Sequence, residues 1–393
     1  MIDILVVGHA PILQVNRLLY RRLVNRGFSI ELVIPRRPPV ANSATVEAQA
    51  PDDPPLHHLN VGGASLRHWL FNGLEVLCQQ RQPRLILIEN EPDTAIVRQS
   101  GRWTKQSGAK IVCMSVENDM GSPLMAFLRG EGRRALRSTR SWFAAWRARQ
   151  LVDHVFVISE DGVKSMGFLG WGGRVTRVPL GFDENLFFPD FAIRGEVRDR
   201  LGLNALTFGF FGRLDPGKGP DLLIAALARM RDLRWQLLID RFELSASSYG
   251  RSLEQIISTS GILDRTIWFH ATHMEMPLYM NAADVVVAPS IGKEQYGRVV
   301  PEAMACNCAP VISDSGTMPE LVGDTGLIVR RRDVDGLEKA LRLLATAPDV
   351  LAKLRSQAAA RAAHLLSLRH QVNLMEPVLR QLLGGISSRP QPN

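Results

Sequence analysis

Short runs of β-branched and aliphatic residues alternate along this chain with longer stretches whose apolar positions recur at helical spacing. In the first half the runs fall at Ile4–Val7, Ile30–Ile34, Leu85–Glu89, Lys110–Ser115, His154–Ile158 and Val175–Pro179. In the second half they fall at Leu206–Phe211, Trp235–Ile239, Thr266–His270, Asp284–Ala288, Pro310–Ser313 and Leu327–Val329. Near-continuous apolar runs mark strands buried on both faces, and the amphipathic stretches between them supply the covering helices. The pattern predicts parallel βαβ units twice over, hence an α/β chain of two Rossmann-like domains.

Length agrees, since 393 residues exceed what one ordinary hydrophobic core serves. The boundary is expected within Pro179–Pro189, where Gly181 offers dihedral freedom between restrictive prolines. This gives domains of 1–179 and 180–368. Pro35–Pro55, rich in Pro, Ala and Asp, reads as a long surface loop, and residues 384–393 read as a disordered tail. A hydrophobic content of 46% against 22% charged residues describes a globular protein. Met1–Gly8 reads as a first strand rather than a signal peptide, and no window carries the ~18 apolar residues of a spanning helix. Cys78, Cys113, Cys306 and Cys308 form no CxxC pair and sit in apolar surroundings, so buried free thiols and a cytoplasmic location are expected.

The net charge of +8 is unevenly spread. Arg129, Arg133, Arg134, Arg137, Arg140, Arg147 and Arg149 stand within thirty residues that hold one acid, Glu131. At helical spacing Leu136, Trp142, Phe143 and Trp146 fall on one side of this segment, and Arg133, Arg137, Arg140 and Arg147 on the other. Such a helix suits peripheral contact with an anionic membrane at its inner face, through Arg129–Arg149. The other reading is a helix packed on its own domain with its arginines in water. No nucleic-acid motif accompanies the charge, so a nucleic-acid partner is not expected.

Two segments of the second half carry the candidate chemistry. Phe211-Gly-Arg213-Leu-Asp-Pro-Gly-Lys218-Gly219 follows a strand and precedes a helix expected over Asp221–Met230. Glycines allow close backbone approach there, while Arg213, Lys218 and the free amides of the helix start suit an anion. Further on, Glu294-Gln-Tyr296-Gly297-Arg298-Val-Val-Pro301-Glu302 places two carboxylates eight positions apart. Carboxylates accept hydrogen bonds from sugar hydroxyls, so the two segments together fit a sugar nucleotide. Pro301 is expected near the first position of a helix that carries Glu302 in its first turn. No Walker A loop and no G-x-G-x-x-G follows any strand, which excludes an NAD-type dehydrogenase. No DxD tripeptide or histidine cluster suggests a metal, and no cofactor is expected.

The spacing of Glu294 and Glu302 resembles the E-x7-E signature of family 4 retaining glycosyltransferases with the GT-B fold. Gly212-Arg213-Leu-Asp-Pro-Gly-Lys218-Gly219 resembles the same family's G-R-L-x-x-x-K-G segment, and Gly181-Phe-Asp183 its hinge. The likeness is nearly continuous from Thr207 to Val329 and loose before Pro179. It implies two Rossmann-like domains facing across a cleft: an acceptor-binding first domain and a donor-binding second one. A C-terminal helix near 369–383 would pack back on the first. It implies transfer of a sugar from a nucleoside-diphosphate sugar to a carbohydrate or lipid-linked acceptor, with retained configuration and no metal, in polysaccharide or glycolipid biosynthesis.

By the same resemblance Arg213 and Lys218 bind the diphosphate, Glu294 the donor sugar near the reacting carbon, and Glu302 the ribose. The loop amides of Tyr296, Gly297 and Arg298 complete the site. Where the family has a paired glycine turn after the first strand, this chain has Gly8-His9-Ala10-Pro11, leaving Gly8 to admit a phosphate. Where the family has a histidine–aspartate pair after the fourth strand, it has Glu117-Asn118-Asp119, of which Glu117 and Asn118 are candidate binding residues beside Glu89-Asn90-Glu91. A nucleotide-sugar epimerase or phosphorylase stays open as an alternative because those chemistries also use GT-B folds, and these departures leave open a non-catalytic subunit that binds sugar nucleotide.

Overall fold

The computed structural model describes residues 1–37, 46–116, 139, 142–241 and 248–384. Glu117, Asn118, Asp119, Leu136, the first five arginines of the basic segment and the tail beyond Gly384 lie outside the described residues. The chain divides into two compact units, Met1–Pro179 with Gln371–Asn393, and Leu180–His370.

In the first unit β1 (Ile2–Val7), β2 (Ile30–Pro35) and β3 (Leu56–Leu59) are followed by a small antiparallel pair, β4 (Val61–Gly62) and β5 (Leu70–Phe71). Then come β6 (Pro83–Ile88), β7 (Lys110–Ser115), β8 (His154–Val157) and β9 (Val175–Arg177). All but the small pair join one parallel sheet in the order β3-β2-β1-β6-β7-β8-β9. In the second unit β10 (Leu206–Phe210), β11 (Trp235–Asp240), β12 (Thr266–Phe269), β13 (Val285–Ala288), β14 (Ala309–Ser313) and β15 (Leu327–Val329) form a parallel sheet ordered β12-β11-β10-β13-β14-β15. The apolar runs become strands because their side chains are buried on both faces. Ile4, Leu5, Val6, Leu32, Val33, Leu85 and Ile86 are wholly inaccessible in the first unit, as are Phe208, Leu237, Val285 and Val311 in the second. No apolar run marks β3, β4 or β5: β3 carries two histidines between its leucines, and β4 and β5 are two residues each.

Several expectations change. Pro35–Pro55 is not all surface: Asp53 and Pro54 are buried. Arg17, fully buried, pairs with the Asp53 carboxylate at 2.9 Å and donates to the carbonyls of Pro11, Ile12, Glu47 and Ala48. One guanidinium thus ties the loop after β1 to the segment before β3, and each of its donors finds an acceptor, as a buried cation requires. Gly181 has no left-handed backbone. A Cβ there would lie 2.4 Å from Leu368 Cα, so glycine serves the close approach that lets Phe182 pair with Ser367. The helix over Val299–Ala305 begins two residues before Pro301, which still falls in a first turn whose amides have no helical partner to lose.

The aromatic side of the basic segment also divides. Residues 142–148 are helical. Ala145 and Ala148 are buried, and Trp142 packs against the same core with its ring 4.7 Å from Phe168. Phe143 and Trp146 instead point outward with Arg147. Successive helical positions are 100° apart, so the face set by Trp142, Ala145 and Ala148 cannot include Phe143.

Candidate functional site

β10 ends at Phe210, and the chain turns into a short 3-10 segment, Pro216–Lys218. Asp215 fixes the turn by accepting from the Gly217 amide at 2.9 Å. Gly219 follows at φ +68°, and a Cβ there would lie 2.5 Å from the Pro289 carbonyl oxygen. Only glycine allows that approach. Because of it the amides of Ile291 and Gly292 both reach the Gly217 carbonyl, at 2.8 and 3.0 Å. The stretch after β13 is thereby fastened to the turn after β10. These two strands are neighbours at the point where the strand order reverses, the usual ligand position of an open parallel sheet.

The fastening brings Lys218 Nζ within 2.5 Å of Glu294 Oε2, and Ser290 Oγ donates to the same oxygen at 3.3 Å. Arg213, Lys218, Glu294, Gly297 and Arg298 line a single pocket of about 200 Å³, with Phe210, Val287 and Met318 among its apolar walls. Arg213 is exposed, its guanidinium 3.6 Å from the Asp215 carboxylate. Gly297 has φ +77°, and a Cβ would stand 3.1 Å from Met318 and 3.2 Å from the Glu294 side chain. An ammonium and a guanidinium at one pocket can counter a diphosphate, and a carboxylate beside them can accept from hydroxyls.

Other sequence candidates are placed elsewhere. Tyr296 is buried and its hydroxyl donates to the Leu180 carbonyl at 2.6 Å, so its side chain braces the loop and only its backbone remains for a ligand. Glu302 lies one turn into the helix, half-buried, and is not among the pocket's lining residues. Burial pushes its carboxyl up to about 7, against the opposing pull of Arg298. Gly8 belongs to the first unit, at the end of β1, where a Cβ would lie 2.5 Å from Glu89 Oε2. That glycine makes room for Glu89, which accepts from the Tyr20 hydroxyl. Glu91 accepts from the Ser115 hydroxyl and, at 3.1 Å, from the Val116 amide, so it holds the end of β7. Sequence reasoning missed Ser290 and Met318 as pocket residues. The place of Ser290, just past the carboxyl end of a strand, was the one signal available.

Residues 205–347 match the family described as Glycosyl transferases group 1. They are a group 1 glycosyltransferase domain. Arg213, Lys218, Glu294, Gly297, Arg298 and Glu302 all lie inside the glycosyltransferase domain, and Gly8 lies outside it. Among curated proteins the chain is 34% identical over 204 residues to a D-inositol 3-phosphate glycosyltransferase of Stackebrandtia nassauensis, covering 48% of this chain and 45% of that protein. It is 30% identical over 186 residues to a GDP-mannose-dependent alpha-(1-6)-phosphatidylinositol monomannoside mannosyltransferase of Mycolicibacterium smegmatis, covering 44% and 47%. The chain thus spans about half the length of the curated relatives it matches. Among solved structures it resembles sucrose-phosphate synthase from Thermosynechococcus elongatus, with a TM-score of 0.72 at 20% identity over 97% of this chain and 99% of that one. It also resembles Anabaena HepE in complex with UDP, with a TM-score of 0.72 at 18% identity over 96% and 100%. At such identities the likeness is one of fold, and the fold is that of the GT-B glycosyltransferases.

Proposed function

We propose that this chain transfers a sugar, with retained configuration, from a nucleoside diphosphate to an acceptor hydroxyl, in the synthesis of a polysaccharide or glycolipid. The observation that carries the reading is the Lys218–Glu294 contact, in a pocket shared with Arg213 and Arg298 inside a group 1 glycosyltransferase domain. When the anomeric carbon–oxygen bond breaks, negative charge gathers on the departing phosphate. Lys218 and Arg213 would counter it without a resident metal, and fixed charges aimed at developing charge are usually the largest catalytic term. Glu294 would accept from hydroxyls of the sugar. The acceptor oxygen would bond to the same face that the phosphate leaves, its proton passing to the departing phosphate. About 200 Å³ is less than the ~300–1,000 Å³ of a typical small-molecule pocket, so this part of the site would take the diphosphate and sugar, with the nucleoside outside it.

Hydrolysis of UDP-, GDP- and ADP-sugars, each tried alone and with candidate acceptors, tests the reading, and NMR of the product's anomeric carbon tests retention. Turnover of none of them, or inverted product, would overturn it. A donor whose stereochemistry changes with no acceptor present would mark an epimerase instead.

The Glu302 carboxyl supplies a pH test. Ribose hydroxyls would donate to its carboxylate, so binding favours the ionised form. With the free protein's value at about 7, affinity is present above that pH and lost as pH falls through it. The dissociation constant for the nucleoside diphosphate should rise about tenfold from pH 8 to pH 6 by linkage. Glu302→Gln should lack that component, and calorimetry of both proteins across the range removes the ligand's own titration. Parallel pH profiles would refute the ribose role. For folding the sign is opposite: a carboxyl raised by burial stabilises most below its ordinary range and loses that contribution as pH rises through about 7.

A second element of the proposal is contact with a membrane surface. Phe143 and Trp146 are 57% and 46% exposed and stack with ring centroids 5.9 Å apart. Arg147 and Arg149 lie over these rings at 5.7 and 5.0 Å, and Phe168 nearby is 74% exposed. Outward aromatics rimmed by cations suit an anionic lipid interface. No helix among the described residues is long and apolar enough to cross a membrane. Phe143→Ser with Trp146→Ser should cut flotation with phosphatidylglycerol vesicles by about tenfold or more, since each ring buried is worth ~1.5–3 kcal/mol. Undiminished flotation would remove these residues as the anchor.

A further inference from the structure

Glu294 lies in a stretch, 289–298, with neither helix nor strand to hold it. Its backbone is held instead by the loop after β14. The Glu294 amide donates to Ser315 Oγ at 3.0 Å, and that hydroxyl in turn donates to the Gly292 carbonyl. On the other side, the Thr317 amide donates to the Glu294 carbonyl at 3.3 Å, and the Thr317 hydroxyl donates to the Gln295 carbonyl. Between them Gly316 has φ +55°, and a Cβ there would fall 1.7 Å from the Glu294 carbonyl oxygen. Ser315 and Thr317 are both buried, and neither is among the pocket's lining residues.

We infer that Ser315 and Thr317 are positioning residues that clasp the Glu294 backbone from both sides and so set where its carboxylate meets the donor sugar, an inference that rests on the transferase reading above. The physical argument is one of satisfied polar groups. A chain segment without regular structure must find partners for its buried amides and carbonyls, and each partner found fixes a direction. Here the two hydroxyls serve the amide of the residue whose side chain enters the pocket and the carbonyls of Gly292 and Gln295 that flank it. A carboxylate displaced by about 1 Å from its productive place costs on the order of a hundredfold in rate. Loss of one hydroxyl leaves the other side of the clasp intact, so each single variant should lose about tenfold.

The test separates positioning from general support. Ser315→Ala and Thr317→Val remove one hydroxyl each, and Thr317→Ser keeps it. For each protein, kcat and KM are measured with the sugar nucleotide that the wild type turns over, and binding of UDP, GDP or ADP alone is measured by calorimetry. The expected result is kcat reduced about tenfold in Ser315→Ala and Thr317→Val, nucleoside diphosphate affinity unchanged within about twofold, and near-normal kcat in Thr317→Ser. Wild-type kcat in the Ser315→Ala, Thr317→Val double variant would overturn the inference. So would an equal loss of diphosphate affinity and kcat, or a failure of Thr317→Ser to restore rate, since both mean a collapsed loop rather than a misplaced carboxylate. A wild-type chain that turns over none of the donors overturns the transferase reading and this one with it.

Discussion

Lys218→Ala is expected to lower kcat/KM for sugar transfer by about 10²- to 10³-fold, equivalent to roughly 3–4 kcal/mol of transition-state stabilisation. The size follows from where the ammonium stands. It is partly buried, 2.5 Å from Glu294, and shares the pocket with an arginine that is largely in water. A cation screened by solvent contributes less than one held in a wall, so Lys218 should matter more than Arg213. The protein should stay folded, because the turn that carries Lys218 is fixed by bonds that do not involve its side chain: the Gly217 amide to the Asp215 carboxylate, and the Ile291 and Gly292 amides to the Gly217 carbonyl. Steady-state kinetics with a circular-dichroism melt is sufficient. Activity within about threefold of wild type would place the diphosphate elsewhere.

Asp284→Ala should be strongly destabilising while leaving the pocket untouched. The Asp284 carboxylate, nearly buried, receives Arg194 at 2.6 Å, Arg355 at 3.2 Å, Arg198 at 3.4 Å and the Thr207 amide at 2.8 Å. Three guanidinium groups around one acid are tolerable because each also donates to carbonyls, those of Asn281, Ala282, Ala283, Ala205 and Asn307. Burial still lowers the pKa values of Arg198 and Arg355, a sign of strained charge. Without the carboxylate, positive charges face one another with no counterion. Breaking a buried pair in this way costs about 3–5 kcal/mol. For a domain of this size that is roughly 6–20 °C in the melting transition. Differential scanning calorimetry checks it, and a shift below about 2 °C would show that the arginines relax into water at little cost.

The parallel sheets were legible because burial on both faces writes itself into consecutive residues. All twelve apolar runs named from the sequence fall on strands, with ends within two residues. The site's two segments were legible for a different reason: glycines and charges at fixed spacing on either side of a strand end. What could not be read was any partner distant in sequence. Arg17 with Asp53, or Ser315 with Glu294, involve residues that look like ordinary loop polar groups until the fold brings them together. Nor could the packing of Tyr296 and Gly181 be read: the Tyr296 hydroxyl braces Leu180, and Gly181 admits Leu368, contacts made far along the chain. The basic helix shows the limit of periodicity, which sorts residues into faces but does not say which face the core will take.

The helix Leu368–Leu382 carries a consequence for synthesis of the chain. Its Val372, Met375 and Leu379 are buried, Glu376 pairs with Arg26 at 3.3 Å, and Arg380 lies 4.8 Å from the ring of Phe28. The first unit is therefore closed by residues that are translated only after the whole second unit. While the second unit is being translated, Phe28 and its neighbours wait without their cover, so a nascent chain halted before Leu368 exposes apolar surface on its earliest part and becomes a substrate for chaperones there.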